Sequence, residues 1–191
     1  MSNRIELEKS FVLTDKDEIL IKEKLKKYEF KFVGEEVEED TYFSDKNLSF
    51  IKNRICLRTR KTNNEQLELT YKPKSTDETE KYGKKEVNIS LNVSDNEDIK
   101  YIIESLGYDE YVSFKKHRKT YNKKVNGLEK NIMIDELEGI GKFAEFEILS
   151  DKEDKEKMAY ELEKFIEEFE CKNLQIKNTP YRDIAKEYYS N

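Results

Sequence analysis

Three pairs of like-charged residues carry the chemistry that this sequence could do: Glu6 and Glu8, Glu145 and Glu147, Arg58 and Arg60. Each pair is spaced i, i+2, which on a β-strand sends both side chains to the same face. Carboxylates crowded on one face repel unless a cation sits among them, and hard Mg²⁺ or Mn²⁺ prefers oxygen ligands. Asp135 adds a fifth carboxylate to the set. Paired guanidinium groups bind phosphate oxygens bidentately, and Lys72 and Arg118 are further bases on strands of the same kind. One isolated E-x-E is ordinarily a solvated strand face. Two at matching parity beside a basic set argue for metal-bridged phosphates with cations stabilising developing charge, the general logic of phosphoryl transfer.

The elements that must position these groups are legible as segments alternating at period two. Residues 4–12 set Ile5, Leu7 and Phe11 against Glu6, Glu8 and Ser10. Residues 54–60 set Ile55 and Leu57 against Arg54, Arg58 and Arg60, and residues 65–72 set Leu67, Leu69 and Tyr71 against Glu68, Thr70 and Lys72. Residues 84–93 oppose Val87, Ile89, Leu91 and Val93 to Lys84, Glu86 and Asn88. Further strands are expected near 37–44, 111–121, 128–136 and 143–149. About eight strands are enough to close a small barrel.

Helical spacing predicts a helix over 15–27 carrying Ile19, Leu20 and Leu25, capped by Thr14 or Asp15. A second is expected over 94–106, carrying Ile99, Ile102, Ile103 and Leu106 and stopped by Gly107. The longest spans 152–170, with Met158, Leu162, Phe165, Ile166 and Phe169 on one stripe, and a short helix follows Pro180. These stripes need the apolar strand faces, so the helices should pack outside the sheet. The expected fold is α+β, a closed eight-stranded antiparallel barrel whose charged strand faces line a wet interior. Such an interior makes sense only if it holds ions, because charges are costly to dehydrate.

Composition narrows the classes. Aromatic residues make up 12% and charged residues 41%, too rich in aromatics for a disordered chain and too charged to bury most of its strand faces. The net charge of −6 argues against a general nucleic-acid binder. Two cysteines, Cys56 and Cys171, are too few for a disulfide framework and point to a reducing compartment. The opening MSNRIELEKS carries charge in place of the apolar run of a signal peptide, and no stretch reaches the roughly 20 apolar residues of a membrane span. A single-domain protein over 1–191, cytoplasmic and without membrane or nucleic-acid partners, is the expectation.

Set in order along the chain, these residues resemble a known family. Glu6-Leu7-Glu8-Lys9-Ser10 is similar to its Glu-x-Glu-x-Lys opening, and Asp40-Thr41-Tyr42-Phe43 to its D-x-Y-F element. Leu57-Arg58-Thr59-Arg60 matches an L-R-x-R strand, Leu69-Thr70-Tyr71-Lys72 an L-T-x-K strand, and Lys116-His117-Arg118-Lys119-Thr120-Tyr121 a K-x-R-x-x-Y element. Asp135-Glu136, Gly139, Gly141, Phe143, Glu145 and Glu147 complete a D-E-x-x-G-x-G-x-F-x-E-x-E close. Each element alone is weak and the ordered set is specific. The chain resembles the CYTH-domain proteins, the triphosphate tunnel metalloenzymes, over residues 4–147.

The resemblance implies a metal-dependent enzyme acting on a triphosphate, with Mg²⁺ or Mn²⁺ held by Glu6, Glu8, Asp135, Glu145 and Glu147. It carries Glu8, Glu145, Glu147 and Arg118 over as catalytic. Arg58, Arg60, Lys72, Glu86 and Arg118 carry over as substrate-binding, with Lys74, Lys84 and Lys116 weaker candidates. The substrate is a small molecule: ATP, tripolyphosphate or thiamine triphosphate. Tyr181-Arg182-Asp183 and Leu106-Gly107-Tyr108 resemble the class IV adenylate cyclase branch, which converts ATP to cyclic AMP and pyrophosphate. The alternatives are a tripolyphosphatase or a thiamine or nucleoside triphosphatase, and a non-catalytic polyphosphate or nucleotide binder. Family members often dimerise, which leaves a homodimer open. One departure matters: the family's first-strand lysine falls at Ser10, and Lys9 lies on the opposite parity. In members that hydrolyse tripolyphosphate, that lysine is thought to position or activate water. His117 opposes Lys116 and Arg118 in parity and belongs on the outer face.

Overall fold

The computed structural model describes residues 5–74, 86–150 and 155–190. Its elements are β1 (Ile5–Leu13), α1 (Asp15–Lys27), β2 (Lys31–Asp45), α2 (Ser49–Lys52), β3 (Cys56–Thr62), β4 (Gln66–Lys72) and β5 (Val87–Leu91). There follow α3 (Asn96–Ser105), β6 (Tyr108–Val125), β7 (Leu128–Leu137), β8 (Gly141–Ser150), α4 (Lys155–Glu168) and α5 (Tyr181–Ser190).

The strands run in the order β1-β8-β7-β6-β2-β3-β4-β5. The expectation of eight antiparallel strands in an α+β fold with helices holds, but the expected closed barrel does not. The order is linear: β1 pairs with β8 and β5 with β4, and no ladder joins β1 to β5 among the described residues. Two-faced strands satisfy a barrel and an open sheet equally well. Closure needs one further ladder with matched tilt and stagger, which local alternation does not specify. The chain divides into two compact units, residues 1–35 with 117–178 and residues 36–116 with 179–191. It passes from one to the other within β2, within β6 and again between residues 178 and 179.

In the first unit, β1, β8 and β7 present one apolar face. Phe11, Leu13, Ile132, Ile134, Ala144, Phe146 and Ile148 lie there, covered by α1 and α4. The α4 stripe Met158, Leu162, Phe165, Ile166 and Phe169 is buried, as its spacing predicts. Phe165 stacks on Phe30 at 5.6 Å between ring centres and meets Phe146 edge-on at 5.2 Å. Burying one such ring contributes about 1.5–3 kcal/mol. Thr14 caps α1 in a capping box with Asp17. The buried face of α1 is Ile21 and Leu25, while Ile19 and Leu20 stand exposed. The i, i+4 pair continues to Tyr28, which packs on the core. The Ile19–Leu20 part of the expected stripe is therefore corrected. Between β6 and β7, Asn126 and Gly127 both take positive φ, the signature of a type I′ hairpin turn.

The second unit contains β3, β4, β5, α2, α3 and α5. Its ladders place Asp40 opposite Arg60, Tyr42 opposite Arg58, Arg58 opposite Thr70 and Arg60 opposite Glu68. One sheet face is thus charged, and the other carries Leu57, Leu67, Leu69, Tyr71, Ile89 and Leu91. Gly107 takes φ +91° just after α3, the left-handed stop expected there. Only Ile103 of the α3 stripe is buried, whereas Ile102 and Leu106 are exposed. Among the described residues no helix is long and apolar enough to cross a membrane.

Candidate functional site

The first unit assembles carboxylates on the polar face of β1, β8 and β7. Register sets Glu8 directly opposite Glu147 and Ser10 opposite Glu145. Glu6, Glu8 and Glu147 each bring a carboxylate oxygen within 4.8 Å of the others. Burial raises the Glu147 carboxyl above its ordinary range and Glu8's charge adds to that, while bonds to Asn131 and Glu6 and the charge of Arg118 oppose it. Oxygen donors whose shared ionisation is opposed by mutual repulsion are the environment that a hard divalent cation relieves. The residues therefore fit such an ion.

Asp135 and Glu145 have a different arrangement. Arg118 donates through Nε and Nη2 to both oxygens of Asp135, at 2.7 and 2.6 Å, and its Nη2 also donates to Glu145. Asp135 is wholly buried, so its charge requires such a partner. The five carboxylates expected to act together are thus divided: three cluster, and two are clamped by Arg118. Ser10 is buried and its hydroxyl donates to Glu145 at 3.5 Å. Lys9 lies on the other face, ion-paired to Glu163 of α4 at 3.0 Å. The β1–β8 ladder runs unbroken from Ile5 to Leu13, with no bulge to turn Lys9 around. His117 meets Glu138 at 3.3 Å, away from Arg118 in parity.

The second unit gathers the bases with acids of its own. Arg60 donates through Nε and Nη2 to Asp40 at 2.6 and 2.8 Å, and its Nη1 lies 3.0 Å from Glu38. Lys116, almost wholly buried, lies 2.8 Å from Glu38. Burial alone would raise the Asp40 carboxyl, yet the charges of Arg60, Arg58 and Lys116 carry it down to about 2. Arg58 donates to the Thr70 hydroxyl at 3.0 Å and lies 3.7 Å from Glu68. Lys72 pairs with Glu86 at 2.6 Å. Burial opposes the charge of Glu86, and Lys72 overcomes it to leave the carboxyl below its usual range. Lys74 is exposed, and Lys84 lies outside the described residues.

Sequence reasoning gave Glu38 no role and named Asp40 only within a motif, although both hold these bases. Glu38 and Asp40 share parity with each other and stand opposite β3, a signal as strong as that of Glu6 and Glu8. It also missed Asn131, whose amide donates to Glu147 at 2.6 Å; a lone asparagine on a strand has no sequence signature. Arg182 of α5 is buried and donates to the carbonyls of Ile55 and Ile51 at 2.6 and 3.5 Å. Tyr181 stands under the Lys116 ammonium, 5.3 Å from ring centre to nitrogen. The Cys171 thiol is buried and pushed up to about 12 by that burial, which leaves it inert.

Comparison with known proteins places this arrangement in a lineage. A Methanocaldococcus jannaschii protein, named provisionally as an adenylate cyclase, is 31% identical over 175 residues, covering 91% of this chain and 93% of the relative. A Vibrio parahaemolyticus structure, also named provisionally as an adenylate cyclase, superposes with a TM-score of 0.72 at 19% identity over 94% of this chain and 97% of its own. A Hippeastrum structure described as an adenylyl cyclase with dominant triphosphatase activity gives 0.68 at 15% identity, over 97% and 96%. The CYTH domain model matches residues 4–177, which takes in both the carboxylates of β1 and β8 and the bases of β3, β4 and β6, and the chain belongs to the CYTH domain family.

Proposed function

We propose that this protein is a divalent-metal-dependent enzyme acting on a small-molecule triphosphate, and that its reaction is the cyclisation of ATP to cyclic AMP and pyrophosphate. The observation that carries the metal half is the approach of Glu6, Glu8 and Glu147 to within 4.8 Å. A bound Mg²⁺ or Mn²⁺ would neutralise phosphate oxygens and polarise the phosphorus under attack. Arg58, Arg60, Lys72 and Lys116 are the residues assigned to the phosphates. Each is already held by an acid or hydroxyl partner, so its donors are oriented before a substrate arrives, which lowers the ordering cost of binding. Arg118 keeps Asp135 and Glu145 in place beside the carboxylate trio of its own unit. Lys84 and Glu86 belong to the same assignment of substrate contacts.

Cyclisation is preferred over hydrolysis because of β1. Lys9 is engaged with Glu163 on the apolar face, and Ser10 occupies the position where a lysine would orient water. An attacking hydroxyl within ATP needs no such orientation, since binding supplies its proximity. The relative from Methanocaldococcus supports this reading by name. The second reading, a triphosphatase, is favoured by the dominant triphosphatase activity stated for the Hippeastrum protein. Incubation with ATP, tripolyphosphate and thiamine triphosphate, each with Mg²⁺ and with Mn²⁺, separates them by product. Cyclic AMP and pyrophosphate from ATP support the first reading. Orthophosphate release that outpaces cyclic AMP supports the second, and binding without turnover of any substrate rejects both.

A further inference from the structure

Four side chains on four adjacent strands of the first unit form one row: Asn122 on β6, Asn131 on β7, Glu147 on β8 and Glu8 on β1. Register alone sets Asn131 directly opposite Glu147 and Glu147 directly opposite Glu8. Asn122 donates its amide to Asn131 Oδ1 at 2.6 Å and to Glu129 Oε1 at 3.0 Å. Asn131 in turn donates its own amide to Glu147 Oε1 at 2.6 Å. The direction of the second bond follows from the first. With Asn131 Oδ1 accepting from Asn122, only its NH₂ remains to face the carboxylate. Asn131 is also buried, 9% exposed, so water competes poorly for that amide.

We propose that Asn131 is a positioning residue that reserves one oxygen of Glu147, leaves the other for the metal, and so biases the carboxylate trio toward small octahedral ions over Ca²⁺. This rests on the metal reading given above. Ca²⁺ takes six to eight oxygens and readily uses both oxygens of a carboxylate, whereas Mg²⁺ demands near-ideal octahedral geometry with fewer protein ligands. A carboxylate held to one available oxygen suits the smaller ion and deprives the larger. Asn122 acts one step further out, by setting which end of the Asn131 amide faces Glu147.

The test titrates the full chain calorimetrically with Mn²⁺ alone and Ca²⁺ alone, in wild type, Asn131→Ala and Asn122→Ala, with thermal midpoints as a check on folding. Wild type should bind Mn²⁺ more tightly than Ca²⁺. Asn131→Ala should lose about tenfold in Mn²⁺ affinity while Ca²⁺ affinity holds or rises, so that the ratio collapses. Asn122→Ala should move the ratio the same way by a smaller factor, and it decides the matter if Asn131→Ala does not fold. Equal losses for both ions mean a merely structural role and overturn the inference, as does an unchanged ratio in the foldable variants. If wild type binds neither ion, the metal reading itself falls and this inference with it.

Discussion

Lys9 Nζ lies 3.0 Å from Glu163 Oε1, which ties β1 to α4 on the apolar side of the sheet and commits its neighbour Ser10 to the side of Glu145. The pairing is exposed enough to contribute only about 0.2–1 kcal/mol. Its value is as a marker of parity, because a one-residue slip of β1 would exchange the faces of every residue on the strand.

The first prediction follows from that parity. Ser10→Lys should raise tripolyphosphate hydrolysis more than ATP cyclisation, because it adds a cation beside Glu145 where a charge acts strongly. Lys9→Ala should change neither activity appreciably. Both products are measured at fixed Mn²⁺ for wild type and the two variants. Loss of activity in Lys9→Ala with no effect of Ser10→Lys would contradict the register.

Glu147→Gln should abolish Mn²⁺ binding and metal-dependent turnover while leaving the fold intact. The Glu147 carboxyl is disfavoured in its charged form by burial and by Glu8, so an amide there removes repulsion. The expected thermal midpoint without metal is equal to or above that of wild type. Glu145→Gln should behave differently and lower the midpoint, because it takes a charged acceptor from Arg118. Unchanged Mn²⁺ affinity in Glu147→Gln would contradict the assignment.

Asp40 makes stability depend on acid. Its folded value of about 2 lies below its ordinary 3.8, so the unfolded chain binds the proton more readily. The stabilisation is fully present above about pH 4 and is lost as the pH falls toward 2, and it amounts to about 2 kcal/mol. Asp40→Asn should remove this component and leave Arg60, Arg58 and Lys116 undercompensated, destabilising the second unit by about 3–5 kcal/mol. Denaturant midpoints between pH 6 and pH 2 read both effects. A variant as stable as wild type at pH 6 would contradict the pairing.

Arg182→Ala should strip the donor from the carbonyls of Ile55 and Ile51, which precede β3. Losing the charged donor from the Ile55 carbonyl costs about 1.5–3 kcal/mol, while the Ile51 carbonyl keeps the Arg54 N–H at 3.0 Å, and the loosened entry to β3 should raise KM for the triphosphate more than it lowers kcat. Steady-state kinetics beside thermal melts provide the check. A change in kcat alone would place Arg182 elsewhere in the mechanism.

What the sequence determined by itself is local. The period-two alternation of β1, β3, β4 and β8 decided which residues share a face, since the pleat enforces that within a single strand. Hence Glu6 with Glu8, Arg58 with Arg60 and Ser10 against Lys9 were all readable, and their order along the chain carried the family. The α4 stripe was readable for the same reason at helical spacing. Tertiary structure alone decided what depends on which strands become neighbours. It left β1 and β5 as separate edges, so the strands do not close among the described residues. It gave Asp135 and Glu145 to Arg118, and Asp40 and Glu38 to Arg60 and Lys116. A buried charge takes whichever opposite charge the ladder register brings within reach, and that register joins residues as far apart as Ser10 and Glu145. Asn131 became part of the site only through the residue across from it. Its chemistry is ordinary, and its position is what matters.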